Sequence, residues 1–302
     1  MEKAGFLSEL RITVLAEDSV QYESPLLGQH GIALLLEGRS AEGRHRFLVD
    51  VGQNSSALHH NMVSLGIQSS TLDAIILTHC HYDHTQGTSD VLKWVGKQGV
   101  PVVAHPDSFR PHFVTEPCLR HVGMMPNDSR SEIEEAGGML LLTRDPLQLM
   151  PGLSTTGEVR RQTDFEEVGI PLKTIVADRV AGDAMLDDIS VVACVRDQGL
   201  VIVTGCSHAG IVNIVKHSIE LFGEKRICGI IGGFHLLNAS EERVRKTVDA
   251  LSQHNPQWVS AGHCTGFRAQ VALFRKFEDR FRPVWCSLCR INRGDCCMSL
   301  FG

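Results

Sequence analysis

The chain has 302 residues, of which 43% are hydrophobic and 21% are charged, with a net charge of −6 and a pI near 6.2. This composition is ordinary for a soluble globular protein, and its acidic balance gives no electrostatic reason to expect nucleic acid as a partner. The first ten residues lack the pattern of a signal peptide, and no apolar run approaches the roughly 18 residues of a membrane span. We therefore expect a cytoplasmic protein without membrane or nucleic-acid partners, whose ten cysteines are mostly free thiols.

Short apolar runs typical of β-strands recur along the chain, and several lead into segments with helical spacing. Strands are predicted around RITVLAE, GIALLLEG, RFLVDVG, LDAIILTH and VPVVAH, and later around DISVVACV, LVIVTGCSH, ICGIIGGFHL and WVSAGHC. Helical spacing follows in NSSALHHNMVSLG, AGIVNIVKHSIELFG and SEERVRKTVDALSQH, the last with Ser240 as its capping residue. Strands mixed with helices predict an α/β sandwich.

The middle of the chain, at about residues 106–186, differs from the rest because its periodicity is weak and it is rich in Pro, Arg and Met. We interpret it as a substrate-facing insertion, with an ordinary irregular region as the alternative. Its segment GLSTTGEVRRQTDFE contains the pair Arg160 and Arg161. Arginine suits phosphate or carboxylate recognition, although solvated arginine pairs are commoner.

The segment IILTHCHYDHTQG carries His79, His81, Asp83 and His84 directly after an apolar run. If LDAIILT is a buried strand, this loop lies at its C-terminal end, where α/β proteins often place functional residues. His79 and His81 can reach one ion from an extended loop, whereas Asp83 and His84 can turn toward a second. Nitrogen and carboxylate ligands suit Zn²⁺, with Fe²⁺ or Mn²⁺ as alternatives. The loop therefore predicts a two-metal site that activates water and stabilises negative charge.

Further candidate residues follow other predicted strands. They are His208 in TGCSHAGI, His235 in GGFHLL and His263 in WVSAGHC. A lone histidine after a strand is more often structural than a ligand, but three of them beside H-x-H-x-D-H favour roles in the site. Asp50, at the end of RFLVDVG, is interpreted either as a residue that orients a ligating histidine or as a turn-forming Asp before Gly52.

The motifs FLVDVG, THCHYDH and GHC resemble those of the metallo-β-lactamase superfamily. TTGEVRRQTDFE, TGCSHAGIVN, GGFHL and GHCTG resemble one branch, the 7,8-dihydropterin-6-methyl-4-(β-D-ribofuranosyl)aminobenzene 5′-phosphate synthase family, over about residues 10–280. The resemblance implies one domain over residues 1–302 with a four-layer αββα sandwich and metals at one edge. It also implies ligands for two ions, namely His79 and His81 for the first, and Asp83, His84 and His263 for the second.

The chain departs from the superfamily pattern where most members carry one more histidine and a bridging aspartate. The segment AMLDDIS has no histidine, and TGCSH places Cys206 at the position of the aspartate. We infer that His208 supplies the missing ligand to the first ion. Cys206 is then a thiolate ligand or a close neighbour of the metals, and Asp188 is a weaker candidate.

The C-terminal segment WCSLCRINRGDCC, within a Cys-rich tail at residues 285–302, has the spacing C-x2-C-x6-C-C. Its cysteines are Cys286, Cys289, Cys296 and Cys297. Four thiolates could bind a structural zinc ion, but adjacent cysteines rarely ligate one tetrahedral ion together. We therefore favour a buried or redox-sensitive tail that lies outside the active site.

These features predict a metal-dependent hydrolase or transferase that acts on a small anionic substrate, either phosphorylated or pterin-like. Asp83 is predicted to be both a ligand and a proton acceptor, and His235 is predicted to be a substrate contact or a general acid, with a structural role as the alternative. Arg160 and Arg161 are predicted to hold the anionic group. If the family's named reaction applies, the metals assist departure of pyrophosphate while an aromatic ring is alkylated.

Two functions of other classes remain open. The first is an iron-dependent redox enzyme on the same scaffold, although di-iron relatives generally carry Glu where this chain has His81. The second is a ligand-binding module without turnover, which the nearly complete set of ligands disfavours.

Overall fold

The computed structural model describes residues 5–291 and contains seven α-helices and 18 strands within that range. The helices are α1 (Ser55–Ser64), α2 (Tyr82–Thr85), α3 (Thr88–Val95), α4 (Arg130–Glu135), α5 (Ile211–Phe222), α6 (Glu241–Gln253) and α7 (Phe267–Phe277). The strands are β1 (Glu9–Ala16), β2 (Ala33–Ser40), β3 (Gly43–Val49), β4 (Ala74–Ile76), β5 (Val100–Ala104), β6 (His112–Val114), β7 (Arg120–His121), β8 (Gly138–Leu142), β9 (Gln148–Met150), β10 (Leu153–Thr155), β11 (Lys173–Val176), β12 (Arg179–Gly182), β13 (Val191–Val195), β14 (Gly199–Val203), β15 (Ile227–Gly233), β16 (Trp258–Gly262), β17 (Phe281–Pro283) and β18 (Ser287–Ile291).

Two seven-stranded sheets form the centre of the fold. The first has the strand order β18-β1-β2-β3-β4-β5-β8, and the second has the order β17-β16-β15-β14-β13-β10-β9. Both sheets are mixed, with parallel pairing from β3 through β8 in the first and from β14 through β17 in the second. Parallel neighbours require crossover connections, which the helices supply.

The strands are buried on both faces because the two sheets pack together and each is covered by helices. Along β2, Leu34 and Leu36 join the core between the sheets, whereas Leu35 joins the core beneath α1 and α3. Along β14, Val201 faces the central core and Ile202 faces the core beneath α5, α6 and α7. This alternation is the period of two expected of a strand. The predicted αββα sandwich is confirmed.

The sheet order brings the carboxyl ends of six strands to one edge of the sandwich. In the first sheet, β1 and β3 run in the same direction because each is antiparallel to β2, and β4 is parallel to β3. In the second sheet, β14, β15 and β16 are parallel to one another. The loops after β4, β14 and β16 carry the histidines and the aspartate predicted to bind metal, whereas Asp188, the weaker candidate, precedes β13.

The stretch at residues 106–186, predicted to be an insertion, is divided among three sheets. Its strand β8 extends the first sheet, and β9 and β10 extend the second. Its strands β6, β7, β11 and β12 form a separate four-stranded sheet. Apolar side chains of this third sheet and its loops pack against Cys80 and Tyr82 of the histidine-rich loop. The stretch therefore completes the core with some strands and covers the predicted metal loop with others.

Within residues 5–291, no helix combines the length and the apolar character needed to cross a membrane. Six cysteines of this range carry free thiols, namely Cys80, Cys118, Cys194, Cys206, Cys264 and Cys286, and Cys228 forms a disulfide. Of the predicted cysteine cluster in the tail, Cys286 is buried beside the Asn61 amide, and Cys289 lies in β18. Cys296 and Cys297 lie outside the described residues.

Helix α5 begins at a carboxylate supplied by the loop that precedes β11. Glu166 accepts hydrogen bonds from the backbone N–H groups of Val212 and Asn213, at 2.9 Å each, and from the Thr163 hydroxyl. A Cβ atom on Gly210 would lie 2.4 Å from the Glu166 Oε2 atom, so glycine is required there. The carboxylate thus satisfies N–H groups of the first helical turn that have no partner within the helix.

Replacing Glu166 with Ala should lower the free energy of unfolding by about 1–2 kcal/mol, because two N–H groups of α5 lose their acceptor. Urea denaturation followed by circular dichroism measures this change. The matched control is Asp164→Ala, which removes an exposed carboxylate two positions from Glu166 and should change the unfolding free energy by less than about 0.5 kcal/mol. Equal effects of the two substitutions would contradict the capping role.

Candidate metal centre

The histidine-rich loop after β4 is held by its apolar and polar neighbours. The Cys80 side chain points into the apolar cluster under the third sheet, and its N–H donates to Asp187 Oδ2 at 2.8 Å. The loop then turns into the short helix α2, where the Thr85 hydroxyl donates to the His81 carbonyl at 3.1 Å. This turn places Asp83 and His84 beside the two preceding histidines.

The first group of donors consists of His79, His81 and His208, all buried. The His81 Nδ1 atom lies 3.2 Å from His79 Nε2 and 3.2 Å from His208 Nε2. The structure thus brings His208 from the second sheet against the two histidines of the first, and its role as a ligand stays a prediction.

The second group of donors surrounds Asp83. Its Oδ2 atom lies 3.1 Å from His263 Nε2 and 3.6 Å from His84 Nε2. The Cys206 Sγ atom lies 3.1 Å from His84 Nε2. Cys206 also belongs to the first group, since its sulfur lies within 4.8 Å of donor atoms of His79 and His208 as well as those of His84 and His263.

Asp50 lies behind both groups with its carboxylate fully buried. It accepts hydrogen bonds from the Thr78 N–H at 2.7 Å, from the Thr78 hydroxyl at 2.6 Å and from His84 Nδ1 at 2.7 Å. A Cβ atom on Gly205 would lie 2.1 Å from the Thr78 Oγ1 atom, so the loop that carries Cys206 approaches this network through a glycine. Asp50 therefore contacts His84 directly, and its role in orienting this histidine stays a prediction.

Two acidic residues and a histidine after β1 belong to the site and were missed from the sequence. Asp18 Oδ2 lies 2.7 Å from His263 Nδ1, and Asp18 Oδ1 lies 2.9 Å from His30 Nδ1. Glu17 accepts a hydrogen bond from the His263 N–H at 2.6 Å, and burial raises the pKa of its carboxyl to about 7. The signal in the sequence was the same as for the other ligands, because Glu17 and Asp18 directly follow a strand.

His235 lies at the margin of the cluster. Its ring contacts that of His208, with centroids 4.2 Å apart. One of its ring nitrogens lies within 4.8 Å of the sulfur atoms of Cys206 and Cys264. A Cβ atom on Gly233 would lie 2.6 Å from the Cys264 Sγ atom, so the strand approaches this cysteine as closely as a glycine allows. His235 is half-buried and is available for a role beside the donors rather than among them.

The other candidates lie outside the two donor groups. Asp188 supports the site, since its Oδ2 atom accepts a hydrogen bond from the Ala209 N–H at 2.8 Å. The role of Arg160 and Arg161 in holding the substrate stays a prediction, and the structure gives both side chains partners within the fold. Arg160 pairs with Glu220 on α5 at 3.7 Å, and 76% of its side chain is exposed. Arg161 donates to the carbonyl oxygens of residues 184 and 185. Both guanidinium groups thus have partners within the fold.

The donor atoms of the first group suit a cation better than they suit one another. Burial lowers the pKa of His81 to about 3 and holds the pKa values of His79 and His208 well below their usual range. All three rings are therefore neutral, and a neutral imidazole has one N–H and one lone pair. A single N–H cannot bond to two facing nitrogens at once, whereas one metal ion satisfies three lone pairs.

Comparisons with known proteins identify the family. A family model described as the beta-lactamase superfamily domain matches residues 45–144. The chain is 38% identical over 283 residues to the 7,8-dihydropterin-6-methyl-4-(beta-D-ribofuranosyl)-aminobenzene-5′-phosphate synthase of Methanocaldococcus jannaschii, covering 93% of this chain and 96% of that protein. The chain belongs to the metallo-β-lactamase superfamily, in the branch that includes this synthase.

Two further relatives agree with this assignment. An uncharacterized protein of the same archaeon is 30% identical over 256 residues, which is 85% of this chain and 91% of that protein. The crystal structure of Tm1679, described as a metal-dependent hydrolase of the beta-lactamase superfamily, is 27% identical and has a TM-score of 0.75, covering 95% of this chain and 100% of that one. Together with the clustered donors, these relatives support an enzyme of a metal-dependent type.

In this superfamily member, Asp50→Ala should weaken metal binding by about 10–100-fold, because His84 loses the carboxylate that orients it. Competition between the metal-free protein and a chromophoric chelator measures the affinity. The control is Asp73→Ala, which removes a half-exposed carboxylate that accepts from the Arg46 N–H. An affinity of Asp50→Ala within twofold of the unmodified chain would show that Asp50 does not act on the metals.

The number of bound ions should be close to two per chain, falling to about one in His208→Ala, which removes one of three donors from the first group. Cys206→Ser should weaken both sites, because its sulfur contacts both groups. Plasma mass spectrometry on protein purified without chelators or a metal-affinity column gives the count. Two ions retained in His208→Ala would refute this assignment, and iron as the main metal would favour the redox alternative.

Proposed function

We propose that this protein is a metal-dependent enzyme that releases pyrophosphate or phosphate from a small, pterin-like substrate. The observation that supports it is the meeting of two groups of metal donors at Cys206, at the edge where six strands end. A centre with room for two cations suits a leaving group that carries several negative charges. The product named for the 38% identical relative contains both a pterin and a phosphate, which supports the substrate class.

The two donor groups would hold the ions. His79, His81 and His208 would bind one ion. Asp83, His84 and His263 would bind the other, and Cys206 lies between the two groups. When bound, the ions would lower the pKa of a coordinated water and neutralise negative charge on a departing phosphate. The protein contributes the fixed orientation of the donors and the exclusion of bulk water from the buried first group.

The surroundings of His235 suit one face of a flat aromatic ring. A Cβ atom on Gly169 would lie 3.2 Å from the His235 ring, so the segment around Gly169 passes directly beside this histidine. The neighbouring side chains Val168 and Ile170, together with Tyr82, are partly buried and pack on the cluster around Cys80. A pterin ring placed against this apolar surface would lie within reach of His235, which could donate a hydrogen bond to it or to the departing group.

Two reactions share these requirements, and they differ in the group that replaces pyrophosphate. In a hydrolase the replacement is water, whereas in a synthase it is the aminobenzene partner. The test uses a dihydropterin that carries a pyrophosphorylated 6-hydroxymethyl group, with and without 4-(β-D-ribofuranosyl)aminobenzene 5′-phosphate. Pyrophosphate release that requires the second compound would establish the synthase reaction, and release in its absence would establish hydrolysis.

Asp83→Asn should lower kcat/KM for pyrophosphate release by at least about 100-fold, because the substitution removes both a ligand and a proton acceptor. Asp73→Asn, at an exposed carboxylate remote from the donors, should retain the activity of the unmodified chain. The proposed function would be refuted if release continued at full rate after the metals were removed. It would also be refuted if the metal-loaded protein consumed no pterin and no phosphoester among a set of such compounds.

A further inference from the structure

The segment before β2 is packed directly on the predicted metal loop. Gly31 adopts a φ of +109°, and a Cβ atom there would lie 1.9 Å from the Asp83 carbonyl oxygen. On the other side, the Gln29 amide oxygen accepts a hydrogen bond from the Gln53 N–H at 3.0 Å, and the Gln29 N–H donates to the Glu17 carbonyl at 2.9 Å. These contacts fix the position of His30, which lies between the two anchored residues.

The ring of His30 is oriented by a carboxylate that it shares with a predicted metal ligand. The two oxygens of Asp18 face His30 Nδ1 and His263 Nδ1, so both rings are held through the same type of nitrogen. The other nitrogens, His30 Nε2 and His263 Nε2, both point to Asp83 Oδ2, at 3.4 and 3.1 Å. A carboxylate that binds the outer nitrogen of a histidine, leaving the inner one for a metal, is the usual support of a metal-binding histidine.

We propose that His30 is an additional ligand of the second ion, beside Asp83, His84, His263 and Cys206. Three ring nitrogens, from His30, His84 and His263, lie within 3.6 Å of one carboxylate oxygen of Asp83. The second site has lost the aspartate that other superfamily members place between the ions, and His30 supplies a further donor from a different strand end. The proposal rests on the metal centre of the proposed function, but not on the reaction.

The position of His30 differs from that of the other ligands in one respect. Its side chain is 53% exposed, whereas that of His84 is fully buried and that of His263 is 1% exposed. His30 therefore forms the solvent-facing side of the second site. Substitution at this position should change the second ion while leaving the buried first group intact.

The test is a titration of the metal-free full-length chain with Co²⁺, followed by visible absorption and by competition with a chromophoric chelator. His30→Ala should weaken binding of the second Co²⁺ ion by about tenfold or more, while binding of the first stays within twofold. The d–d absorption of the second ion should change because it loses a nitrogen ligand. His30→Gln, which keeps much of the side-chain volume, should show the same loss, and Asp18→Asn should show a smaller one.

His45→Ala is the matched control, since His45 is a half-exposed histidine paired with a carboxylate, Asp73, outside the site. It should leave both cobalt affinities and the spectrum unchanged. Circular dichroism and thermal unfolding of the metal-free variants establish that each is folded. If both His30 variants are folded and bind the second ion within twofold of the unmodified chain, with the same spectrum, the proposal is overturned.

An unmodified chain that binds one Co²⁺ ion in total also overturns the proposal, because His30 then has no second ion to bind. These measurements contain no substrate. A protein that binds both ions with the predicted dependence on His30, but converts no pterin or phosphoester, therefore refutes the proposed function and leaves this inference in place.

Discussion

The buried carboxylate of Asp50 determines which ring nitrogen of His79 and of His84 faces the metal donors. The Thr78 hydroxyl has one hydrogen, which it donates to Asp50, so the same oxygen can only accept from His79 Nδ1, 3.0 Å away. His84 Nδ1 also donates to Asp50. A singly protonated ring that donates through Nδ1 carries its lone pair on Nε2. One carboxylate on the first sheet thus directs a lone pair of His79 toward the first group of donors and a lone pair of His84 toward the second.

The hydrogen bonds of Asp50 also constrain the loop that the second sheet contributes to the site. A buried carboxylate is tolerated when its oxygens are fully hydrogen-bonded, and Asp50 has three donors for two oxygens. Any side chain at Gly205 would clash with the Thr78 hydroxyl or the Asp50 carboxylate, so the loop after β14 requires a glycine at this position. The absence of a side chain is what lets Cys206 and His208 reach the donors of the first sheet. The close approach of the two sheets at Gly205 therefore also brings the donors of the site together.

The sequence allowed the fold and most of the donor cluster to be predicted because both depend on local signals. Apolar strands followed by histidines place those histidines at carboxyl ends, and parallel pairing brings such ends together. The prediction about His208 depended on the same reasoning. Asp18 was missed although it follows a strand, because nothing in the sequence shows that it lies beside His263, 245 positions away on the other sheet. His30 precedes β2 and therefore carried no signal of a strand end. The stretch at 106–186 was harder to interpret since its short strands are shared among three sheets.

Arg160 and Arg161 show what residue type alone leaves open. The residue type was right for an anionic substrate, but a sequence does not reveal which guanidinium groups already have partners within the fold. Glu220 on α5 and the carbonyl oxygens before Asp187 supply those partners. The donors of the metal centre differ in this respect, because the three facing nitrogens of the first group cannot all be hydrogen-bonded to one another, and this incompatibility is what points to a cation.

A cysteine at position 206 bears on which metal ions would suit the site. The thiol is buried, and burial raises its pKa well above the usual range. In the absence of a positive charge, the thiol is neutral and can donate to His84 Nε2, which the Asp50 hydrogen bond leaves as an acceptor. A metal ion beside the sulfur reverses this preference, since coordination ionises a thiol outright. Thiolate and imidazole ligands select zinc or iron over magnesium or calcium, which prefer oxygen. A metal ion held by Cys206 in place of a bridging carboxylate would therefore be zinc or iron rather than magnesium or calcium.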